Sequence, residues 1–492
     1  MEPKKNDLGA WGRKYGLLLA VLVLLAVWLL PTPEGMQPVQ HQMLAIFCGM
    51  VVLWITQCVS FATSGIILIP VLYLWVGNAT GAVDASGHLV RSADFALAGY
   101  GTSSLWLLVA GYMISTAMIA TGLAKRLALL MLKRFGKTPF GATLSPMIAG
   151  LILAPLTPSN TARCAAILPI VEGVAQAYKL EKGKSNFGKV LYLANMYSHS
   201  TTAGAFLTGT IPNPVAIGMM LGAMGGVVSS QTSWGFWAIA AFPTSFVLLI
   251  ATIYLLFWLF PSEIKELPGG LSYIDVELAA LGPVSAREKR ALGYFMLALL
   301  LWSTDMVHHL NSTMVALLVS ALMLLPRFGV LSWKEAQQGI PWDLFVFFGG
   351  VITLSGITTT TGAFAWVINS VIGGLGLEGV SMLPLLIAFM GFQIFSHVIW
   401  STTTAMAGVM IPIYIGIAQA FGFPIVGFVL PLAILGSYAW FLPFNTMTNI
   451  IMYGPGYFTV AEQLKSSILL GLIAWALWAV TALTWFPLIG LY

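Results

Sequence analysis

Ser159-Asn160-Thr161-Ala162, with Pro169 seven residues past the alanine, and Thr402-Thr403-Thr404-Ala405, with Pro412 at the same distance, are the two stretches on which the fold turns. Each lies in an apolar run too long for one membrane helix, about 142–178 and 384–423, interrupted by proline and dense Ser/Thr. Each is followed by a second shared pattern. Gly209-Thr210-Ile211-Pro212-Asn213 has Gly218 nine residues past its first position, and Asn445-Thr446-Met447-Thr448-Asn449 has Gly454 nine past. Four pieces in the same order in both halves mark an internal duplication.

Composition identifies the solvent. Of 492 residues, 8% are charged and 58% hydrophobic, against roughly 25% and 45–50% in soluble domains. Such a chain cannot cover a soluble surface, and it reads as an all-α polytopic membrane protein. The net charge of +5 reflects loop topology and is no sign of a nucleic-acid partner. Cys48, Cys58 and Cys164 lie in apolar stretches at no metal-ligand spacing. No disulfide framework, metal site or cofactor is therefore expected.

A span needs about 20 apolar residues. Eleven are expected, near 17–30, 42–58, 62–77, 103–122, 190–225, 235–260, 291–308, 313–326, 342–365, 424–452 and 467–490. The first follows Lys4, Lys5, Arg13 and Lys14 and ends in Pro31-Thr32-Pro33-Glu34. With no small-residue cleavage site, it reads as a spanning helix and not a signal peptide. The runs 142–178 and 384–423 read as re-entrant hairpins that enter and leave on one side. This count puts 20 of the 22 basic residues on a single face, leaving out Arg91 and Arg163. By the positive-inside rule that face is the cytoplasm. The N-terminus is then cytoplasmic and Tyr492 extracytoplasmic.

The division that follows has helices in 1–141, the first hairpin with further helices in 142–260, and a cytoplasmic linker in 261–290. The second half has helices in 291–383 and the second hairpin with further helices in 384–492. The linker holds nine charged residues and reads as a solvated segment. The hairpins enter from opposite faces, an inverted repeat of the kind that places a transported substrate near the bilayer midplane.

Non-helical Ser/Asn/Thr segments are tolerable at that depth only where they are buried in protein or line a wet cavity. Two such tips would offer hydroxyls, amides, backbone N–H groups and positive half-helix ends, each cradling one carboxylate. Facing each other, they suit a dianion. Neutral donors also let the substrate go, where a fixed excess of charge would not. Thr358–Thr361, without a counterpart in the first half, reads as local hydrogen bonding. Asp305, His308 and His309 read as interfacial groups. His199 has two open readings, as a cavity residue or as a helix–helix hydrogen bond.

These motifs, with Pro341-Trp342 and Phe348-Gly349-Gly350, resemble the divalent anion:sodium symporter family over nearly the whole chain. The resemblance implies a homodimer that carries di- or tricarboxylates by an elevator motion of a transport domain against a scaffold, with scaffold helices in 1–141 and 291–383 and transport-domain helices in 142–260 and 384–492. Carried over, the anion contacts are Ser159, Asn160, Thr161, Thr402, Thr403 and Thr404. Thr210, Pro212, Asn213, Thr446 and Asn449 support them. This chain departs from the sodium-coupled pattern at Thr403, where asparagine is usual, and at Asn445, where a small residue is common.

Two further residues bear on coupling. Arg163 lies inside a hairpin, where permanent charge is costly, with Glu172 as the nearest acid in sequence. His397 lies at the approach to the second tip, in a position read as mirroring Arg163. If both stand in for sodium, the empty carrier must drag unpaired charge across a low-dielectric barrier, at a cost of several kcal/mol. That enforces exchange. Thr157–Arg163 is similar to the Thr-Pro-Ser-Asn-(Thr/Ser)-Ala-Arg hairpin of the family's exchanger branch, the citrate/succinate, tartrate/succinate and 2-oxoglutarate/malate antiporters. The expectation is a sodium-independent carboxylate antiporter, with a sodium-coupled symporter as the alternative. The absence of a long Ser-rich leader points to a bacterial inner membrane. The spans hold no close Asp pair and no clear nucleophile–base pair, so an enzyme is not expected.

Overall fold

The computed structural model describes residues 7–77, 91–265, 272–375 and 379–492; Lys4, Lys5, Glu266 and most of the polar loop 78–102 lie outside them. The described residues contain no strand. The first half runs α1 (Asp7–Leu29), α2 (Pro38–Thr56), α3 (Phe61–Val76), α4 (Ser103–Thr121), α5 (Leu123–Phe135), α6 (Pro139–Leu153), α7 (Asn160–Ala177), α8 (Asn186–Ala205), α9 (Pro212–Ala223) and α10 (Trp234–Leu259). The second runs α11 (Ser272–Ala280), α12 (Ala286–Ser303), α13 (Ser312–Leu324), α14 (Trp342–Thr361), α15 (Ala363–Leu375), α16 (Met382–Ser396), α17 (Thr403–Phe421), α18 (Ile425–Leu435), α19 (Met447–Tyr453) and α20 (Val460–Leu483). Among the described residues, nine helical stretches are long and apolar enough to cross a membrane.

The long runs 142–178 and 384–423 each divide into two helices at the Ser/Thr motif. Ser159 ends the first break as N-cap of α7, its Oγ accepting from Ala162 N at 3.1 Å. Thr402 does the same for α17, accepting from Ala405 N at 3.0 Å. These hydroxyls satisfy helix-end donors that a straight helix would not leave open. Two expected spans are also broken. The stretch 190–225 is α8, a segment holding only a 3-10 turn (Leu207–Gly209) and α9, which starts on Pro212; 424–452 is α18, a segment whose only helical piece is a 3-10 turn (Pro443–Asn445) and α19, capped by Thr446. Proline lacks the N–H that a continued helix would need. The second shared pattern therefore marks a second break in each half, and α8 is buried along nearly its whole length.

Another repeated piece escaped the sequence reading. Thr121-Gly122 ends α4, and Thr361-Gly362 ends α14. Both glycines are left-handed, at φ +75° and +71°, and each passes the chain into a further helix, α5 or α15. Only glycine adopts that conformation without strain. The expected loop 123–141 is thus largely helical. Thr361 does have a counterpart in Thr121, and both hydroxyls bond back to the preceding turn at 2.8 Å, so the local reading of these threonines stands.

Two polar readings change. The linker is not simply solvated: Lys125–Glu277, Lys133–Asp275 and Arg126–Glu288, each at 2.7 Å, bind it to α5. Asp305 is not interfacial but buried, accepting from Gly235 N at 3.0 Å and Ser233 Oγ at 3.3 Å at the start of α10. It neutralises the positive end of that helix.

Candidate functional site

The two tips and the two later breaks meet around one cavity of about 330 Å³. Its wall comes from 158–161 and 402–404 in the tips and from 210–212 and 445–448 in the later breaks, completed by Tyr112 and Leu344. Asn160 and Thr403 thus share a chamber. Nine residues expected from sequence line it: Ser159, Asn160, Thr161, Thr210, Pro212, Thr402, Thr403, Thr404 and Thr446. The lining holds no charged side chain. The helices α7, α9, α17 and α19 all begin at this wall, so their positive ends converge on it. Free N–H groups and hydroxyls in such a place bind an anion.

Arg163 stands behind the first tip, 1% exposed. Its Nη1 donates to the carbonyls of Ala154 (3.3 Å), Thr157 (3.0 Å) and Gly209 (3.0 Å), and its Nη2 to that of His199 (3.2 Å). Nη2 also donates to Asn160 Oδ1. With its oxygen engaged, the Asn160 amide has only its NH₂ left to offer the cavity. Glu172, the nearest acid in sequence, is not among the partners of Arg163, and every acceptor of the guanidinium is neutral. Its charge is held in place without being cancelled.

The second tip repeats this arrangement with a different donor. Tip positions correspond at a separation of 243 residues, Ala162 to Ala405, so the counterparts of Ala154 and Thr157 are His397 and Trp400. The carbonyls of His397 and Trp400 accept from Asn445 Nδ2 at 2.8 and 2.7 Å. Asn445 Oδ1 accepts in turn from Leu442 N at 2.7 Å. The same carbonyl pair is capped in both tips, by Arg163 in one and by Asn445 in the other. His397 therefore does not mirror Arg163. It lies on the opposite flank of its tip, its Nδ1 2.9 Å from Gln393 O and its Nε2 3.2 Å from Gly436 O.

Asn213 and Asn449 do not reach the cavity; they brace the later breaks from behind. Asn213 Nδ2 donates to Ala203 O and Phe206 O, both at 2.9 Å, and Asn449 Nδ2 to Ala439 O and Leu442 O, both at 2.8 Å. All three pairs of equivalent atoms are 236 residues apart. His199 fits neither of its readings: it is buried away from the cavity wall, and neither ring nitrogen has a partner. Tyr112 and Leu344 were missed. They come from apolar helices with no motif to mark them, and only the packing brings them to the site.

Residues 12–492 match the family described as the sodium:sulfate symporter transmembrane region. The chain belongs to that family, the divalent anion:sodium symporters. A membrane protein of Cupriavidus necator is 30% identical over 481 residues, covering 97% of this chain and 93% of the relative. The L-tartrate/succinate antiporter of Escherichia coli K12 is 30% identical over 491 residues, covering 97% of this chain and 98% of the relative. Among solved structures, the Alcanivorax borkumensis YdaH transporter has a TM-score of 0.55 at 12% identity, covering 89% of this chain and 98% of that one. That likeness concerns the fold alone. As a family member, the chain is a multi-pass membrane transporter, and the motifs that gave the resemblance are those that build the cavity.

Proposed function

We propose that this chain exchanges di- or tricarboxylates of four to six carbons across a bacterial inner membrane, without sodium. The reading has it working as a homodimer, N-terminus cytoplasmic, with the tip-bearing helices moving as a transport domain against the others. One observation carries it: an uncharged cavity ringed by neutral donors and helix N-termini, backed by a buried guanidinium with no carboxylate partner. A dianion gains donors at both ends and neutralises the guanidinium field. An empty cavity leaves that charge unpaired in a low-dielectric interior, and its passage costs several kcal/mol.

The second tip supports the same reading. The His397 ring is held between carbonyl oxygens, Nδ1 2.9 Å from Gln393 O and Nε2 3.2 Å from Gly436 O, behind the second tip. The carbonyl pair at the second tip, of His397 and Trp400, already accepts from Asn445 and is not free for a cation. The antiporter named among the relatives favours exchange and four-carbon dicarboxylates.

The test is uptake of labelled succinate, malate, tartrate, 2-oxoglutarate or citrate into proteoliposomes. Uptake is expected only with a dicarboxylate inside and unchanged when sodium is replaced by choline. Uptake driven by a sodium gradient into vesicles lacking counter-substrate would overturn exchange in favour of symport.

A further inference from the structure

We propose that Gly111 and Tyr112 of α4 form a seat for the first tip in this conformation, and that the Tyr112 hydroxyl contacts substrate from one face of the membrane only. The inference rests on the exchanger reading and adds a residue outside the tip motifs. Every lining segment of the cavity comes from the tips and later breaks except Tyr112 and Leu344. Of these two, only Tyr112 carries a polar group. Its helix, α4, packs along α13 of the other half and belongs to neither tip.

Two contacts join α4 to the first tip. A Cβ placed on Gly111 would lie 3.1 Å from Pro158 Cγ and 3.7 Å from Pro158 Cβ, so the α4 backbone abuts the tip where a side chain would crowd it. Thr157 Oγ1 lies 3.6 Å from Met118 Sδ, two turns further along α4. The Tyr112 and Ser159 side chains line the same cavity wall. Ser159 Oγ already accepts from Ala162 N. Each hydroxyl therefore keeps its donor for a carboxylate seated at Asn160.

If the tip travels while α4 stays, these contacts exist at one end of the cycle only. Substrate bound at the other end meets the tips without Tyr112. Leu344 sits in the first turn of α14, just past the basic segment 327–341. The seat therefore belongs to the conformation that opens on the basic face.

The experiment compares KM measured from each face, using whole cells and inverted membrane vesicles. Tyr112→Phe is expected to raise KM about 5- to 10-fold from the basic face, the effect of one lost hydrogen bond, and to leave the other face within about twofold. An equal change on both faces, or none, overturns the inference. A second variant pairs Gly111→Cys with Pro158→Cys in a background lacking Cys48, Cys58 and Cys164. The 3.7 Å between the Cβ positions suits a disulfide. Oxidation is expected to arrest exchange and reductant to restore it. Full exchange with the crosslink formed would mean that the tip never leaves α4. Loss of exchange in the unsubstituted protein would refute the functional reading instead.

Discussion

Arg163 separates shape from charge, because its five acceptors are four carbonyls and one amide oxygen. Charge-assisted bonds of this kind contribute about 1.5–3 kcal/mol each. Arg163→Ala uncaps the first tip and frees the Asn160 amide to rotate. Exchange should fall at least about 30-fold, equivalent to about 2 kcal/mol of lost positioning. Lys137→Ala, away from the cavity, should leave the rate unchanged. Arg163→Gln is the sharper test: it keeps some donors and removes the charge. Exchange should slow, and net efflux into substrate-free medium, absent in the parent, should appear. A strictly coupled Arg163→Gln variant would move the barrier to His397.

At the scale of elements, the later breaks hold because two buried asparagines take up carbonyls that the interrupted helices leave open. Asn213→Ala and Asn449→Ala each remove two such bonds, and each should cost about 2–4 kcal/mol. Thermal unfolding in detergent should show a loss for both, since the bonds to carbonyls are equivalent across the repeat, and a somewhat larger one for Asn449→Ala, whose Oδ1 also accepts from Thr446 Oγ1 at 3.1 Å. A loss confined to one would mean that the halves are not mechanically alike. These breaks also mark the boundary of what the sequence revealed. The tips were legible because Ser, Asn and Thr clusters in an apolar run contradict a membrane helix. The breaks at 206–211 and 436–446 were read through as single spans, because nothing in hydropathy distinguishes a buried apolar segment from a helical one. Nine of the expected site residues reach the cavity. The capping role of Asn445 could be found only by aligning the two halves atom by atom. Tyr112 carried no local signal at all.

Over the whole molecule, the segment between the repeats is a clamp where a spacer was expected. Lys125–Glu277 and Lys133–Asp275 are exposed pairs, worth at most about 1 kcal/mol each. Arg126–Glu288 is different, with both residues buried and the guanidinium also reaching Leu281 O at 3.3 Å. Glu288 Oε2 accepts from Ser285 N at 2.8 Å as well, so one carboxylate joins α5 to the start of α12. The bond from Arg126, helped by those from Ser285, holds the Glu288 carboxyl below its ordinary 4.5. A depressed carboxyl stabilises the fold above its unfolded value and loses that contribution as pH falls towards its folded one. Glu288→Gln should therefore lower stability by about 2 kcal/mol at neutral pH. The gap from the parent should narrow as pH falls below 4.5. Lys133→Ala should stay within about 0.5 kcal/mol at either pH. Because α5 follows directly from α4, which seats the first tip, a loosened clamp should also slow exchange at neutral pH. If Glu288→Gln matched the parent in melting temperature and exchange rate at pH 7, the linker would be a passive tether and the coupling through α5 would fall.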